Sequence, residues 1–310
     1  MITRRNIRVK VMQLLYSIDT INETTAFKNP VTTLEKKFDK TRELFIFLLY
    51  NTLAVARYAE KDSRNRAAKN IPSEADLNVN TKISGNQILW NIIEDKTYQD
   101  AVETYKTDIA SDVDIVRKMY LLLSETQEYK KYITIESREK KDEVGILSFI
   151  FNDLLLQSDL FLSTIEDKFD NLDDDGEMMQ SLVISYLQKQ HSLSMHVMLD
   201  EDKWNFAKSM LTTCLDKKEY LLEIITPKFQ NWDADRIASL DMILLQMGVS
   251  ELLYFETIPT KVTINEYIDI AKEYSTPQSG QFVNGILDNL HKDLLEKGKI
   301  NKVAFKKAHH

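Results

Sequence analysis

Four cations crowd the first ten residues: Arg4, Arg5, Arg8 and Lys10, with no acid among them. Arginine suits contact with nucleic acid, because its planar guanidinium reaches phosphates through two parallel N–H bonds and also stacks on bases. Arg4 and Arg8 stand one helical turn apart, with Arg5 further round. Tyr16, later in the same stretch, could stack on a base; a tyrosine at the edge of a core is the plainer reading. A second cationic cluster ends the chain, where residues 291–310 hold six lysines against Asp293 and Glu296. The net charge is nevertheless −8, so the body between the two ends is strongly acidic. Cationic ends on an acidic body could hold a polyanion at one place only. Such ends read equally well as solvated tails. The final His309–His310 pair reads as the remnant of a purification tag and is set aside.

The element that must position the first cluster is a helix over residues 3–20. Ile7, Val11, Leu14, Leu15 and Ile18 recur at helical spacing and form one stripe. The whole composition agrees with helices. Seven glycines and five prolines in 310 residues are too few for a turn-rich sandwich or barrel. With 43% hydrophobic and 28% charged residues the chain has the profile of a globular protein. No apolar run reaches 18 residues, and the N-terminus has no charge-free apolar segment of the secretory kind, so a cytoplasmic location is expected and no membrane span. The one cysteine, Cys214, excludes an internal disulfide and a cysteine-rich metal site.

After a polar loop at 21–30, Thr32-x-x-Glu35 has the spacing to cap a second long helix carrying Leu34, Phe38, Phe45, Leu48, Leu49 and Leu53. Residues 60–86 turn polar, with Arg64, Arg66 and Lys69 ahead of Pro72 and Gly85, and make the best linker candidate. From residue 86 to about 199 the pattern stays helical, marked by Trp90 and Ile93, by Val113 to Leu123, and by Ile146, Phe149, Ile150, Leu154 and Leu155. Asp173-Asp174-Asp175-Gly176-Glu177 falls short of a calcium loop and reads as an acidic turn between helices. His191 and His196 are five apart and do not share a helix face as paired metal ligands would. Residues 200–229 and 235–255 are helical again.

The last two helices lie within residues 261–290. Thr263-x-x-Glu266 has the spacing of a capping box. Ile264, Ile268 and Ala271 follow at helical spacing, then residues 275–280 break the pattern. Phe282, Ile286 and Leu290 share a face of the next helix. Gly285 on that helix would let a neighbouring backbone come close, the usual reason to tolerate its cost of about 1 kcal/mol relative to Ala.

This region also carries a resemblance. Residues Ile258-Pro259-Thr260-Lys261-Val262-Thr263-Ile264-Asn265-Glu266, then Ala271-Lys272, then Phe282-Val283-Asn284-Gly285-Ile286-Leu287-Asp288 resemble the C-terminal signature of the NusB family of transcription antitermination factors. The Arg4-Arg5-x-x-Arg8 run followed by Gln13-x-Leu15-Tyr16 resembles that family's arginine-rich first helix. The segment from 235 to 255, ending in Glu251-Leu252-Leu253-Tyr254, resembles its central helix. The likeness covers about residues 3–20 and 202–296.

The resemblance implies an all-α fold: a NusB-like helical bundle formed by the N-terminal helix and the C-terminal helices, plus a large helical insertion. The expected divisions are residues 1–30 with 200–298 for the bundle, 31–199 for the insertion and 299–310 for a basic tail. It also implies a non-enzymatic role without a cofactor. The family pairs with NusE, a small-subunit ribosomal protein, binds the single-stranded boxA element of ribosomal RNA leaders and joins the RNA polymerase antitermination complex; no DNA contact follows from it. Carried onto this chain, the RNA-binding residues would be Arg4, Arg5, Arg8, Lys10, Tyr16, Lys261, Gln278, Ser279 and Gln281, with Asp241 meeting the protein partner. The sequence departs from the family at Gln246, Ser250 and Gln281, and in the insertion. A helical adaptor that binds protein without RNA is the other reading. No phosphate-cradling glycine loop, nucleophile elbow or methyl-donor module is present to support an enzyme.

Overall fold

A computed structural model of the chain describes residues 2–20, 29–190, 195, 199–229 and 237–303. His191, His196, most of the 21–30 loop, Asp235, residues 304–310 of the basic tail and the terminal histidines lie outside the described residues. The described chain contains sixteen α-helices and no strand. It divides into two compact units, residues 1–2 with 38–198 and residues 3–37 with 199–310.

The unit of residues 3–37 and 199–310 begins with α1 (Arg4–Thr20) and the first two turns of α2 (Pro30–Ala67). Asn29 Oδ1 accepts the Thr32 amide at 3.2 Å, so Asn29 starts α2 where Thr32 was expected to. The division falls inside α2, between Lys37 and Phe38.

The other unit holds the rest of α2, then α3 (Glu74–Leu77), a 3-10 turn (Lys82–Gly85), α4 (Gln87–Ile93), α5 (Lys96–Tyr105), α6 (Thr107–Ala110), α7 (Val113–Glu125) and α8 (Gln127–Thr134). It continues through α9 (Lys140–Phe149), which runs into a π-turn (Ile150–Leu155), then α10 (Asp159–Glu166) and α11 (Leu172–Gln188). Its axis is α2, buried without a break from Leu44 to Leu49. The expected linker at 60–86 is not one: α2 continues to Ala67, and both flanks belong to this unit. Lysines and arginines are good helix formers, so polarity alone did not end the helix. Asp173–Asp175 is likewise no inter-helix turn but the first turn of α11, where acids complement the helix dipole. Asp175 is buried there, accepting from Thr41 Oγ1 at 2.8 Å and Asn171 Nδ2 at 2.6 Å. Glu143 is buried too, held by the Tyr132 hydroxyl at 2.7 Å, the Gln87 amide at 2.7 Å and Arg138 at 3.4 Å.

The first unit resumes with α12 (Glu201–Asp216), α13 (Lys218–Ile225), α14 (Ser239–Tyr254), α15 (Thr260–Tyr274) and α16 (Ser279–Glu296). α14 is its central helix, buried from Ile243 to Leu252. The glycine that permits close packing is Gly248 on α14: a Cβ there would sit 2.9 Å from Leu287 Cδ2 of α16. Gly285 was expected to do this, but it is exposed and faces open space. On α15 the buried face is Thr263, Tyr267, Ile270 and Ala271, while Ile264 and Ile268 are half-buried. The stripe is rotated because Thr263 and Tyr267 turn their hydroxyls inward to a carboxylate. Among the described residues, no single helix is long and apolar enough to cross a membrane.

Candidate nucleic-acid interface

The first helix is more deeply packed than its stripe indicates. Every residue from Ile7 to Met12 is buried, Arg8 and Lys10 included. Its first turn, with Arg4 and Arg5, and its end from Tyr16 onward reach the surface; Gln13 and Ile18 are half-buried.

Arg8 is 2% exposed and meets Glu251 of α14, which is fully buried. Its Nε donates to Glu251 Oε2 and its Nη2 to Oε1, each at 2.8 Å, a parallel fork. The same carboxylate accepts from Thr263 Oγ1 at 2.8 Å and from the Tyr267 hydroxyl at 3.2 Å. All four of its good acceptor positions are therefore filled. Arg8 Nη1 also reaches Glu266 at 3.3 Å. Its guanidinium lies over the rings of Phe206 and Tyr267, 5.5 and 5.8 Å from their centres. Burial opposes the charge on Arg8, but the bonds to Glu251 and the surrounding carboxylates outweigh it, and its pKa is raised. Burial, reinforced by Glu251, pushes the Tyr267 hydroxyl well above its ordinary value. Thr263 and Glu266 are thus not a capping box; both belong to this clamp, and α15 starts at Thr260 after Pro259.

Arg8 was expected to stand with Arg4 and Arg5 against RNA, and the structure places it inside. What it does there is tie α1 to Glu251 of α14 and Glu266 of α15. Arg4 is exposed, its guanidinium 5.6 Å from the centre of the Phe206 ring. Arg5 is 35% exposed and bonds Glu273 of α15 at 2.6 Å. Arg4, Arg5 and Arg8 line a hollow of about 550 Å³ with Thr3, Ile258, Pro259 and Val262. Lys261 is exposed in that same first turn of α15.

The remaining expected contacts separate. Lys10 is buried. Tyr16 is exposed near the far end of α1. Gln278 and Gln281 are exposed in and just after the α15–α16 turn, most of the length of α15 from Lys261, while Glu273, the partner of Arg5, stands in the last turn of α15 before them. Ser279 is buried and donates to Asp241 Oδ2 at 2.7 Å, while Ser275 donates to Oδ1 at 2.7 Å. Asp241 is therefore engaged in pinning the turn between α15 and α16; it is 5% exposed and offers little to a partner. Gln246 and Ser250 are core residues, and Ser250 Oγ lies 3.4 Å from Cys214 Sγ. Burial pushes the Cys214 thiol up to about 12, which leaves it inert as a nucleophile.

The sequence alone gives no site role to Tyr267, Phe206, Glu273 or Glu251, although Glu251 stands in the quoted end of the central helix. Glu251 had a signal: it is the one carboxylate in the apolar run from Ile243 to Leu253, and a charge there needs a buried partner. Glu273 had none, because it is one surface acid among many.

Comparison with known proteins bears on this unit above all. The NusB family matches residues 166–292. That span begins within α10, inside the segment expected to be insertion, so it takes in α11 as well. The transcription antitermination protein NusB of Salinibacter ruber is 42% identical over 132 residues, which cover 42% of this chain and 77% of that protein. The NusB of Methylacidiphilum infernorum is 43% identical over 95 residues, 31% of this chain and 66% of that one. The NusB of Fervidobacterium nodosum is 49% identical over 78 residues, 25% of this chain and 55% of that one. No solved structure matches. With a relative this similar matched over three quarters of its length, the chain belongs to the NusB family.

Proposed function

We propose that the chain acts in transcription antitermination by binding boxA-type single-stranded RNA together with NusE, as a non-enzymatic component of an RNA polymerase complex in the cytoplasm. The observation that supports this most is the placement of Arg4 and Arg5. Both reach the surface at the rim of a hollow, in a turn of α1 locked to α14 by the Arg8–Glu251 fork. A guanidinium on a fixed backbone loses less freedom on meeting a phosphate than one on a loose tail. With Lys261 they make three cations, which give modest affinity, so a partner that enlarges the surface is needed for tight binding. Arg5 must exchange Glu273 for a phosphate, a small cost for a pair this exposed.

Fluorescence anisotropy with a labelled boxA RNA tests the reading. NusE should tighten binding, and Arg4→Ala/Arg5→Ala/Lys261→Ala should weaken it. Binding that ignores NusE, or that survives the triple substitution, removes the proposal. Absence of RNA binding with or without NusE would leave the second reading, a protein-binding adaptor of the same fold, which the uncharged Gln281 and the occupied Arg5 favour.

A further inference from the structure

The unit of residues 38–198 contains an open groove of about 990 Å³ between α2 and the corner made by α5, α6 and α7. One wall is α2 from Tyr50 to Arg64, about 21 Å of helix. Arg57, Lys61 and Arg64 recur there at i, i+4 and i+7, so they form one exposed row. The row is held in place without being neutralised. Arg57 lies over Trp90 and Lys61 over Tyr58, and only Arg64 has an acid, Glu60 at 3.4 Å. The opposite wall carries two uncovered apolar side chains, Ile109, 77% exposed, and Val113, 56%, beside the charged Glu103, Lys106 and Asp108. Leu53, Tyr98 and Val116 make the floor. The walls are tied to each other by Ser111 Oγ, which donates to Asn51 Oδ1 at 2.8 Å.

Lys106 stands at the lip, between α5 and α6, and its backbone is left-handed at φ 50°. It is the one non-glycine residue with positive φ among the described residues. Glycine adopts that conformation at about 1 kcal/mol lower cost. A lysine there keeps a cation at the groove instead.

We infer that this groove is a docking site for an amphipathic helix of a partner protein that carries acidic residues along one edge. Its apolar stripe covers Ile109, Val113 and the floor, and its acids face Arg57, Lys61 and Arg64. Glu103 and Asp108 on the opposite wall repel acids there and so set the orientation of the docked helix. Single-stranded nucleic acid is disfavoured, because Tyr58 and Tyr98 are buried, Tyr50 is half-buried and the exposed apolar side chains at the lip, Ile109 and Val113, are aliphatic.

The test uses the full chain and three labelled probes in anisotropy: a leucine-striped helical peptide with glutamates along one flank, the same peptide with lysines there, and a single-stranded RNA. The glutamate peptide should bind with a salt dependence and the lysine peptide at least about tenfold more weakly. Arg57→Glu/Lys61→Glu and Ile109→Asp should each weaken it about tenfold or more. Lys106→Gly relieves the backbone, so thermal stability should hold or rise while peptide affinity falls. Three results overturn the inference: no binding of the glutamate peptide up to about 1 mM, equal binding of both peptides, or RNA binding that the same substitutions abolish.

Discussion

The two units handle buried charge differently. In the unit of residues 3–37 and 199–310 a guanidinium and a carboxylate, Arg8 and Glu251, are both sealed from water and satisfy each other. In the unit of residues 38–198 the buried Glu143 relies on Tyr132, a backbone amide and Arg138, and Arg138 is one third exposed. A sealed pair fixes two elements in one geometry, because neither partner has water to fall back on. A pair with one end in solvent tolerates movement. Glu251, Thr263 and Glu266 lie within the family's match at residues 166–292, and all three belong to the clamp on Arg8, which lies outside that span.

The largest expected effect breaks that pair. Glu251→Leu should destabilise the full chain by about 3–5 kcal/mol, because Arg8 is left charged and alone, and Arg8→Met should cost a similar amount. The double substitution should recover most of the loss, a coupling that urea denaturation of the four chains would measure. Glu143→Gln in the other unit should cost less, about 1–3 kcal/mol, since Arg138 can turn to solvent. Equal losses from Glu251→Leu and Glu143→Gln would dissolve the contrast.

Glycines sharpen it within one unit. Gly248→Ala drives a methyl into Leu287 and should cost about 1–3 kcal/mol. Gly285→Ala meets open space and should stabilise by about 0.5–1 kcal/mol in the same thermal melts.

The smallest effect is a titration. Asp76 is held down to about 2 by the Lys69 ammonium and by Ser73, whose backbone and hydroxyl donate to it. A depressed carboxyl contributes stability that is present above its ordinary value near 4 and is lost as pH falls through about 2. Carboxyl-detected NMR should show the Asp76 midpoint rise toward its ordinary value in Lys69→Ala, with no movement at Asp200, whose own depression comes first from the Lys203 amide.

Much of this was legible in the sequence. Helical periodicity located α1, α2 and α14 to α16, since apolar spacing reports burial directly. What it missed has a common cause. A hydrophobic stripe assumes that polar residues face water, so Arg8, Lys10, Ser279 and Asp241 were all placed outside. Three-dimensional pairing brought Arg8, Ser279 and Asp241 in. The same assumption turned Thr263 and Glu266 into a helix cap and read the polar end of α2 as a linker. The groove of the other unit left no motif, because Arg57, Lys61 and Arg64 look like any solvated helix face until α5 to α7 are set opposite them.

The central claim is that Arg4 and Arg5 meet phosphates while Arg8 serves from inside. Its most direct test is the salt dependence of boxA RNA binding in the presence of NusE. Each phosphate contact of a single strand contributes about 0.7 to the slope of log K against log salt. Arg4→Ala/Arg5→Ala should therefore make the slope shallower by about 1.4 relative to the unaltered chain, with thermal stability unchanged. An unchanged slope would contradict the account.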